Sequence, residues 1–387
     1  MALKFGSFMA PFHPPATTLN PSTAYQRDVE VIQHMDRLGY DEVWVGEHHS
    51  CGTETIPDPF MFIMYMANLT KHIKLGCGVV SLPYHNPLWV ADRALFADRM
   101  LRGRFQLGVG PGALPVDATM IGISLEDQRG ALEEDFDVLM ALLRGESVTH
   151  KTSRYNLVDA RTQAAPYSDF DVCVCAIASP TGPRAASKNG AHLISVGATA
   201  AGGFDALALH WDVMEERSTQ FGTTADRSKW RLAGPMHLAD TKEEAIEQVR
   251  YGLDAWCDYT QDTLAAPHFR AVGRTFEERV AWVNESGLGV IGTPDDAVRQ
   301  IERLQQQSGG FGSYLLINHE WARHTQTLRS LELFADNVMP RFQGSADRIL
   351  AAEQYARSRW NELDVLQGAA IASATQRHAD AKVTAGV

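Results

Sequence analysis

Short apolar runs alternate with longer amphipathic stretches along most of this chain. Runs such as "DEVWVGE" (41–47) and "GRFQLGVG" (103–110) have continuous apolar centres, as do strands that are covered on both faces. The stretch "NPSTAYQRDVEVIQHMDRLGY" (20–40) repeats its apolar residues at helical spacing, with Asn20 to cap the helix and Gly39 to end it. About eight such strand–helix pairs predict a parallel sheet closed into a (β/α)₈ barrel.

The alternative fold is a doubly wound open sheet, but no GxGxxG sequence follows the first strand, which favours the barrel. The chain has 387 residues, and a (β/α)₈ barrel needs about 250. We therefore assign residues 1–342 to the barrel, with insertions near 147–165 and 262–290. Residues 343–387 are predicted to be a C-terminal helix followed by an Ala-rich tail that is frayed or disordered.

Composition excludes several classes of protein. The net charge is −12 and no Lys/Arg-rich run is present, so a nucleic-acid partner is not expected. No apolar stretch reaches the roughly 18 residues that span a bilayer, so no membrane association is expected. The five cysteines are an odd and sparse set, which argues against a disulfide framework and for a reducing compartment. We expect a cytoplasmic protein.

The second predicted strand ends on an unusual polar sequence, Glu47, His48 and His49. In a (β/α)₈ barrel the active site lies at the C-terminal ends of the strands, so these three residues are candidates for catalysis. A polar loop is the alternative. A metal site is not expected, because successive strand residues point to opposite faces and no HxH or HExxH sequence accompanies the pair.

Glycines are concentrated on the third and fourth predicted strands. Gly76 and Gly78 in "LGCGVVSLPYHNP" (75–87) indicate that something approaches the backbone closely, either a ligand or tightly packed barrel residues. On the fourth strand, Gly108, Gly110 and Gly112 leave a bare rim, but the GK[ST] sequence of a Walker loop is absent.

A second candidate binding loop follows the fifth predicted strand, in "AIASPTGPRAASKNG" (176–190). Ser179, Thr181 and Gly182 precede a helix that carries Arg184 in its first turn. A helix N-terminus with small residues and a nearby cation is suited to a phosphate group. An ordinary capped helix is the alternative reading of the same residues.

Several of these segments together resemble the bacterial luciferase family of flavin-dependent monooxygenases, whose fold is the (β/α)₈ barrel. The resemblance covers about residues 1–342. It rests on "KFGSFMAPFHPP" (4–15), "DEVWVGEHH" (41–49), "KLGCGVVSLPYHNP" (74–87), "LRGRFQLGVGPG" (101–112), "IGTPDDAVRQIERL" (291–304) and "LELFADNVMPRF" (331–342), in the order of the family.

The resemblance implies that a reduced flavin, FMN or FAD, binds in the barrel mouth. Gly78 and Val79 match a non-proline cis peptide beneath the flavin ring, and Gly110 lies at the same rim. The loop residues matching the flavin-phosphate site are Ser179, Thr181, Gly182 and Arg184. Luciferases carry a Cys and a phosphate-binding Arg where this chain has Gly110 and Pro111, so light emission is not expected.

The resemblance also implies catalytic roles. His48 matches the family's acid/base next to the reacting flavin edge, with Glu47 to orient it and His49 to contact the flavin. The cofactor would bind O₂ as a C4a-(hydro)peroxyflavin and pass one of its two oxygen atoms to the substrate, and His48 would give or take the peroxide's proton. Reduced flavin would come from a separate reductase that uses NADH, because the sequence has no obvious nicotinamide-binding fingerprint. A homodimer formed through helices near strands two and three is expected.

The stretches 202–218 and 226–245 resemble the branch of the family that oxidises compact, apolar terpenoids. The implied reaction is limonene-type alkene epoxidation, with Baeyer–Villiger oxidation of a cyclic terpenoid ketone as the alternative. Other possibilities are a flavin- or F420-dependent hydride-transfer enzyme, a metal-dependent hydrolase and a non-catalytic flavin-binding protein. The expected substrate pocket is apolar, and its candidate residues are Phe8, Phe12, Phe60 and Trp89.

Overall fold

The computed structural model describes residues 2–9, 12–200, 205–264 and 270–385. Ala10 and Pro11 of the segment 4–15, residues 202–204 of the stretch 202–218 and residues 265–269 of the predicted insertion lie outside this set. Eight parallel strands close into a barrel in chain order, which confirms the predicted (β/α)₈ class. They are β1 (Lys4–Met9), β2 (Glu42–Val45), β3 (Lys74–Ser81), β4 (Phe105–Gly110), β5 (Val172–Ala176), β6 (His192–Val196), β7 (Arg231–Gly234) and β8 (Ser313–Ile317).

Helices alternate with these strands. In chain order the α-helices of the barrel unit are Pro21–Leu38, Pro59–Met66, Pro87–Leu101, Pro115–Ile121, Leu125–Leu143, Thr181–Lys188, Ala206–Phe221, Lys242–Val249, Leu253–Asp258, Phe276–Glu285, Pro294–Ser308 and His324–Asn337. The next helix, Met339–Gln343, reaches the end of this unit. Shorter turns are the 3₁₀ segments Leu82–Tyr84 and Arg227–Lys229 and the π-helical segment Tyr259–Thr263.

The first helix begins and ends as the sequence predicts. The Asn20 side chain accepts a hydrogen bond from the backbone N–H of Ser22, and Pro21 occupies the first turn. The chain leaves the helix at Gly39, whose φ of 83° is left-handed and therefore suits a residue without a Cβ atom.

The N-terminal end of the barrel is closed by a buried ion pair network. Arg231, the first residue of β7, lies 2.6 Å from the Asp171 carboxylate and 3.0 Å from that of Glu42, the first residue of β2. Gln106 donates a further hydrogen bond to Glu42 at 2.9 Å. Burial by itself raises the pKa of Asp171, but Arg231 and Lys229 lower it well below its ordinary value. The network therefore joins β2, β4 and β7 to the residue that precedes β5.

Trp44 fills the middle of the barrel, and the strand glycines make room for its indole. A Cβ atom at Gly76 would lie 2.7 Å from the Trp44 ring, and one at Gly108 would lie 3.2 Å from it. One at Gly78 would lie 2.5 Å from the Cβ atom of Trp44. Of the two readings of Gly76 and Gly78 left open by the sequence, tight packing inside the barrel accounts for these contacts.

The predicted insertion near 147–165 forms a hairpin, in which Val148–Lys151 pairs antiparallel with Asn156–Ala160. The stretch 230–240 forms two short strands, β7 and Met236–Leu238, because Pro235 between them has no N–H to continue the hydrogen bonds of β7. The second part, Met236–Leu238, pairs in parallel with Val290–Gly292 outside the barrel.

The chain separates into two compact units, Met1–Phe342 and Gln343–Val387. In the second unit, helices span Asp347–Ser358 and Trp360–Ala385. The predicted C-terminal helix is thus present, and helix continues through the Ala-rich stretch to Ala385, in keeping with the strong intrinsic helix propensity of alanine. None of the described helices is long and apolar enough to cross a membrane.

We expect Gly76→Ala to destabilise the protein by about 1–3 kcal/mol, because the added methyl group meets Trp44 in a packed interior. The measurement is the free energy of unfolding from urea denaturation followed by circular dichroism. Gly130→Ala is the matched control: Gly130 lies in the helix Leu125–Leu143 with no atom within 4 Å of an added Cβ. That change should be neutral or stabilising, and equal losses in both variants would contradict the role of Trp44.

Candidate active site

A cluster of carboxylates and imidazoles lies at the C-terminal ends of β2 and β3. Glu47, two residues past the end of β2, is buried and accepts three hydrogen bonds. The donors are the His85 ring at 2.7 Å, the His49 ring at 2.9 Å and the backbone N–H of Ser81 at 2.7 Å. Burial by itself raises the pKa of Glu47, but these hydrogen bonds and the His85 charge lower it to about 2. Glu47 is therefore an ionised anchor that joins the ends of β2 and β3.

His48 is held by other carboxylates. Its Nε2 atom lies 3.1 Å from Glu54, and its Nδ1 atom lies 3.7 Å from Asp117, within ion-pair range but beyond hydrogen-bond distance. Burial lowers the pKa of His48, but Glu54, Asp117 and, more weakly, Glu47 outweigh this effect and raise it. The Glu47 oxygens accept hydrogen bonds from His49, His85 and Ser81, so Glu47 acts on His48 through its charge.

The two carboxylates beside His48 are themselves held in place. The Tyr259 hydroxyl donates to Glu54 at 3.3 Å, and Asp117 accepts the backbone N–H of His49 at 3.1 Å. Burial by itself raises the pKa of Asp117, but His48 and the hydrogen bonds around its carboxylate lower it. The Glu47 hydrogen bond, as the largest cause, raises the pKa of His49. The arrangement favours charged imidazoles at the barrel mouth.

The upper part of the barrel interior, above Trp44, is apolar. Side chains of Phe8, Val79, Cys175, Val196 and Ile317 meet there, each near the C-terminal end of its strand. The peptide bond between Gly78 and Val79 is cis, as the family resemblance implied. A Cβ atom at Gly110 would lie 3.1 Å from the Val79 side chain, so a larger residue would crowd this rim.

The predicted phosphate loop has free backbone donors. The helix Thr181–Lys188 begins after Pro180 without a side-chain cap, so its first N–H groups have no side-chain acceptor of their own. Gly182 packs closely on the end of β5, since a Cβ atom there would lie 2.7 Å from the Cys175 carbonyl oxygen. Arg184 is half exposed and lies 3.7 Å from Glu133. Ser179 precedes Pro180 in the same turn.

The four candidate pocket aromatics lie in different environments. Phe8 faces the barrel interior, and Phe12 packs edge-on against Tyr259 at 5.4 Å between ring centroids. Phe60 is stacked on Phe105 at 6.0 Å, in the core between the barrel and its helices. Trp89 is 61% exposed. The structure therefore brings Phe8 and Phe12 towards the mouth and does not support a pocket position for Phe60 or Trp89.

Sequence reasoning missed four residues of the cluster as site residues: His85, Glu54, Asp117 and Tyr259. His85 stands in a segment that the family resemblance already quoted, directly after the turn Leu82–Tyr84. The other three carry no local signal, because their partners are set by how separate loops meet. Within the described ranges, no group of three or more His, Cys, Asp or Glu side chains is arranged to hold a metal ion.

Comparison with known proteins defines the class. The family model described as "Luciferase-like monooxygenase" matches residues 3–310. The chain belongs to the luciferase-like monooxygenase family. This confirms the predicted family and the expected enzyme class, a flavin-dependent monooxygenase.

Two relatives are similar over nearly the full chain. Limonene 1,2-monooxygenase of Rhodococcus erythropolis is 44% identical over 366 residues, which cover 94% of this chain and 93% of that protein. 4-Hydroxyprotoasukamycin monooxygenase of Streptomyces nodosus subsp. asukaensis is 38% identical, with 90% and 95% coverage. Among solved structures, the oxygenating constituent of 3,6-diketocamphane monooxygenase of Pseudomonas putida, in complex with FMN, has a TM-score of 0.72 at 24% identity. That similarity covers 88% of this chain and 99% of that one.

We expect Glu47→Ala to cost about 1–3 kcal/mol of stability, because it leaves the buried Ser81 N–H and the donors of His49 and His85 without their acceptor. The measurement is the free energy of unfolding from urea denaturation. Glu146→Ala is the control, since that carboxylate pairs with Arg144 on an exposed surface and its loss should cost at most about 0.5 kcal/mol. A Glu47 variant as stable as the control would contradict its anchoring role.

Proposed function

We propose that this enzyme uses reduced flavin and O₂ to transfer one oxygen atom to a small, apolar, monoterpene-like alkene, giving an epoxide. The observation that carries the proposal is a histidine, His48, held between two carboxylates directly beside an apolar barrel mouth. The 44% identity to limonene 1,2-monooxygenase over 94% of the chain supports the substrate class.

The residues at the mouth fit a flavin. Gly110 leaves the rim beside Val79 bare, and a flat ring would fit against that bare rim at the strand ends. The uncapped start of the helix Thr181–Lys188, with Ser179 before it, offers N–H groups to a single phosphate. FMN ends in such a phosphate, and FAD has a pyrophosphate at the same point of its ribityl chain. Reduced flavin, when bound, supplies the activation of O₂.

The chain's own residues then control protons and water. His48 holds a proton beside the mouth, because Glu54 and Asp117 favour its charged form. Glu47 fixes the rings of His49 and His85, and we assign His49 to a contact with the flavin. A proton donor next to the activated oxygen makes that oxygen electrophilic, which suits attack by an alkene. Baeyer–Villiger oxidation needs the opposite, a nucleophilic oxygen.

The apolar lining provides the substrate site. Phe8, Cys175, Val196 and Ile317 present carbon and sulfur surfaces near the strand ends, with Phe12 close to the same rim. Burying a compact hydrocarbon against these side chains is favourable by about 25 cal/mol per Å² of apolar surface. Reduced flavin would be delivered by an NADH-dependent reductase. A similar protein, matching 23% of this chain, is named as the oxygenase component of a flavin-dependent trigonelline monooxygenase.

The test is oxygen-dependent product formation. Purified protein is mixed with photoreduced FMN or FAD and air, with limonene or a camphor-type ketone, and products are separated by gas chromatography. We expect limonene epoxide with the wild type. His48→Ala should lower the rate of product formation by about 10²–10⁴-fold, because the positioned proton donor is lost.

His150→Ala is the control for this substitution. His150 lies on the hairpin and pairs with Glu134 of the helix Leu125–Leu143, and its loss should leave the rate unchanged. A lactone from the ketone, with no epoxide, would reverse the assigned reaction. Reduced flavin oxidised no faster than in buffer, with no product, would favour a hydride-transfer enzyme. A His48→Ala variant as fast as wild type would remove His48 from the mechanism.

We also propose that the enzyme is a homodimer formed through the helices Pro59–Met66 and Pro87–Leu101, which pack against each other. Trp89, Phe96 and Met100 form an exposed stripe at helical spacing on the second helix, and Met61 and Tyr65 are exposed on the first. Contiguous exposed apolar side chains of this size are typical of association surfaces.

Phe96→Glu should convert the dimer into a monomer, because a carboxylate is costly to bury in an apolar interface. Sedimentation velocity gives the mass of each variant. Val158→Glu is the control, since Val158 is 68% exposed on the hairpin and lies outside these helices. A wild-type monomer at micromolar concentration, or a Phe96→Glu dimer, would contradict this interface.

A further inference from the structure

Both ring nitrogens of His48 face carboxylates. Nε2 lies 3.1 Å from Glu54 and Nδ1 lies 3.7 Å from Asp117. An ionised carboxylate only accepts hydrogen bonds, and a neutral imidazole has a single N–H to donate. With a neutral ring, one nitrogen lone pair would therefore face a carboxylate oxygen. The geometry suits a ring that carries protons on both nitrogens.

Glu54 is the carboxylate at hydrogen-bond distance, and its position is closely determined. Its backbone bridges to Phe12, and the neighbouring Thr53 carbonyl accepts the N–H of His13 at 2.9 Å. Its side chain receives the Tyr259 hydroxyl at 3.3 Å, and Tyr259 is buried against Phe12. Tyr259, which is distant in the chain, therefore holds Glu54 beside the Nε2 atom of His48, whereas Asp117 lies beside the Nδ1 atom.

The remaining charged groups near His48 do not replace Glu54. Glu47 lies one residue away, but its oxygens are taken by His49, His85 and the Ser81 N–H. Asp117 also raises the pKa of His48, but it lies farther from the ring, at 3.7 Å, and accepts the His49 backbone N–H as well. His49 carries a raised pKa and would itself disfavour a second charge nearby. Burial of His48 also opposes its charge.

We propose that Glu54 is a positioning residue that orients the His48 ring and keeps it charged, and that Tyr259 anchors Glu54 for this task. The inference rests on the proposed function only for its consequence, a proton available at neutral pH beside the flavin. The charge state itself is a property of the protein without flavin. It can therefore be measured separately from activity.

The experiment is an NMR titration of the flavin-free, full-length protein with ¹³C-labelled histidine, in which the His48 resonance is assigned by its loss in His48→Gln. We expect Glu54→Gln to lower the pKa of His48, because the nearest opposite charge is removed while the shape is kept. Glu54→Asp should lower it less, since the charge is withdrawn by one methylene group. Glu134→Gln removes the carboxylate 2.9 Å from His150 and is the matched control, which should leave His48 unchanged.

The activity measurement gives an independent readout. If charged His48 is needed, product formation is retained below its pKa and lost as the pH rises through it. Glu54→Gln should therefore lose activity at a lower pH than the wild type, while Glu134→Gln should keep the wild-type profile.

An unchanged His48 titration in Glu54→Gln would overturn the inference. Should that variant not fold, as judged by circular dichroism, an unchanged titration in Glu54→Asp would overturn it equally. A lowered pKa in a protein whose wild type forms no oxygenated product would support the role of Glu54 on His48 and refute the proposed function. The two proposals therefore fail by different observations.

Discussion

The barrel depends on one buried charge network at its N-terminal end, in which Arg231 joins Glu42 and Asp171. Removing one partner of such a buried group typically costs about 3–5 kcal/mol, because the remaining charge stays out of water without compensation. The network connects strands on opposite parts of the barrel, β2 and β7, with the residue before β5. The Arg231 guanidinium also lies 5.0 Å from the Trp44 ring, so the charged floor supports the aromatic layer above it.

That aromatic layer determines where a ligand can bind. The Trp44 indole occupies the width that Gly76 and Gly108 leave open, so the middle of the barrel is filled by protein. Above it, Phe8, Val79 and Ile317 line the strand ends, and the proposed flavin and substrate would lie on that side of the indole. Gly76 and Gly108, which the sequence alone could assign to a cofactor site, therefore make room for core packing in the middle of the barrel. Gly110 is the strand glycine that lies at the rim.

At the mouth, acids and histidines are matched in two separate groups. Glu47 accepts hydrogen bonds from the rings of His49 and His85, while Glu54 and Asp117 flank His48. Glu47 is thus a rigid structural anchor, and Glu54 and Asp117 are the carboxylates that favour the charged form of His48. The same cluster ties together segments distant in the chain, since Tyr259 and Glu54 are 205 residues apart. Mouth geometry and proton control therefore depend on the folded loops as a unit.

The amino-acid sequence by itself determined the barrel class and the first helix, with its Asn20 cap and its end at Gly39. It also determined that Glu47, His48 and His49 follow the end of a strand. These features could be predicted because periodicity, capping and strand ends are local properties of the sequence. It did not determine which carboxylate holds which histidine, nor that Phe60 packs in the core and Trp89 faces outward. Those outcomes depend on the direction of side chains and on contacts between remote loops. Only the tertiary structure placed Glu54 and Asp117 beside His48, because no local pattern encodes a meeting of two separate loops.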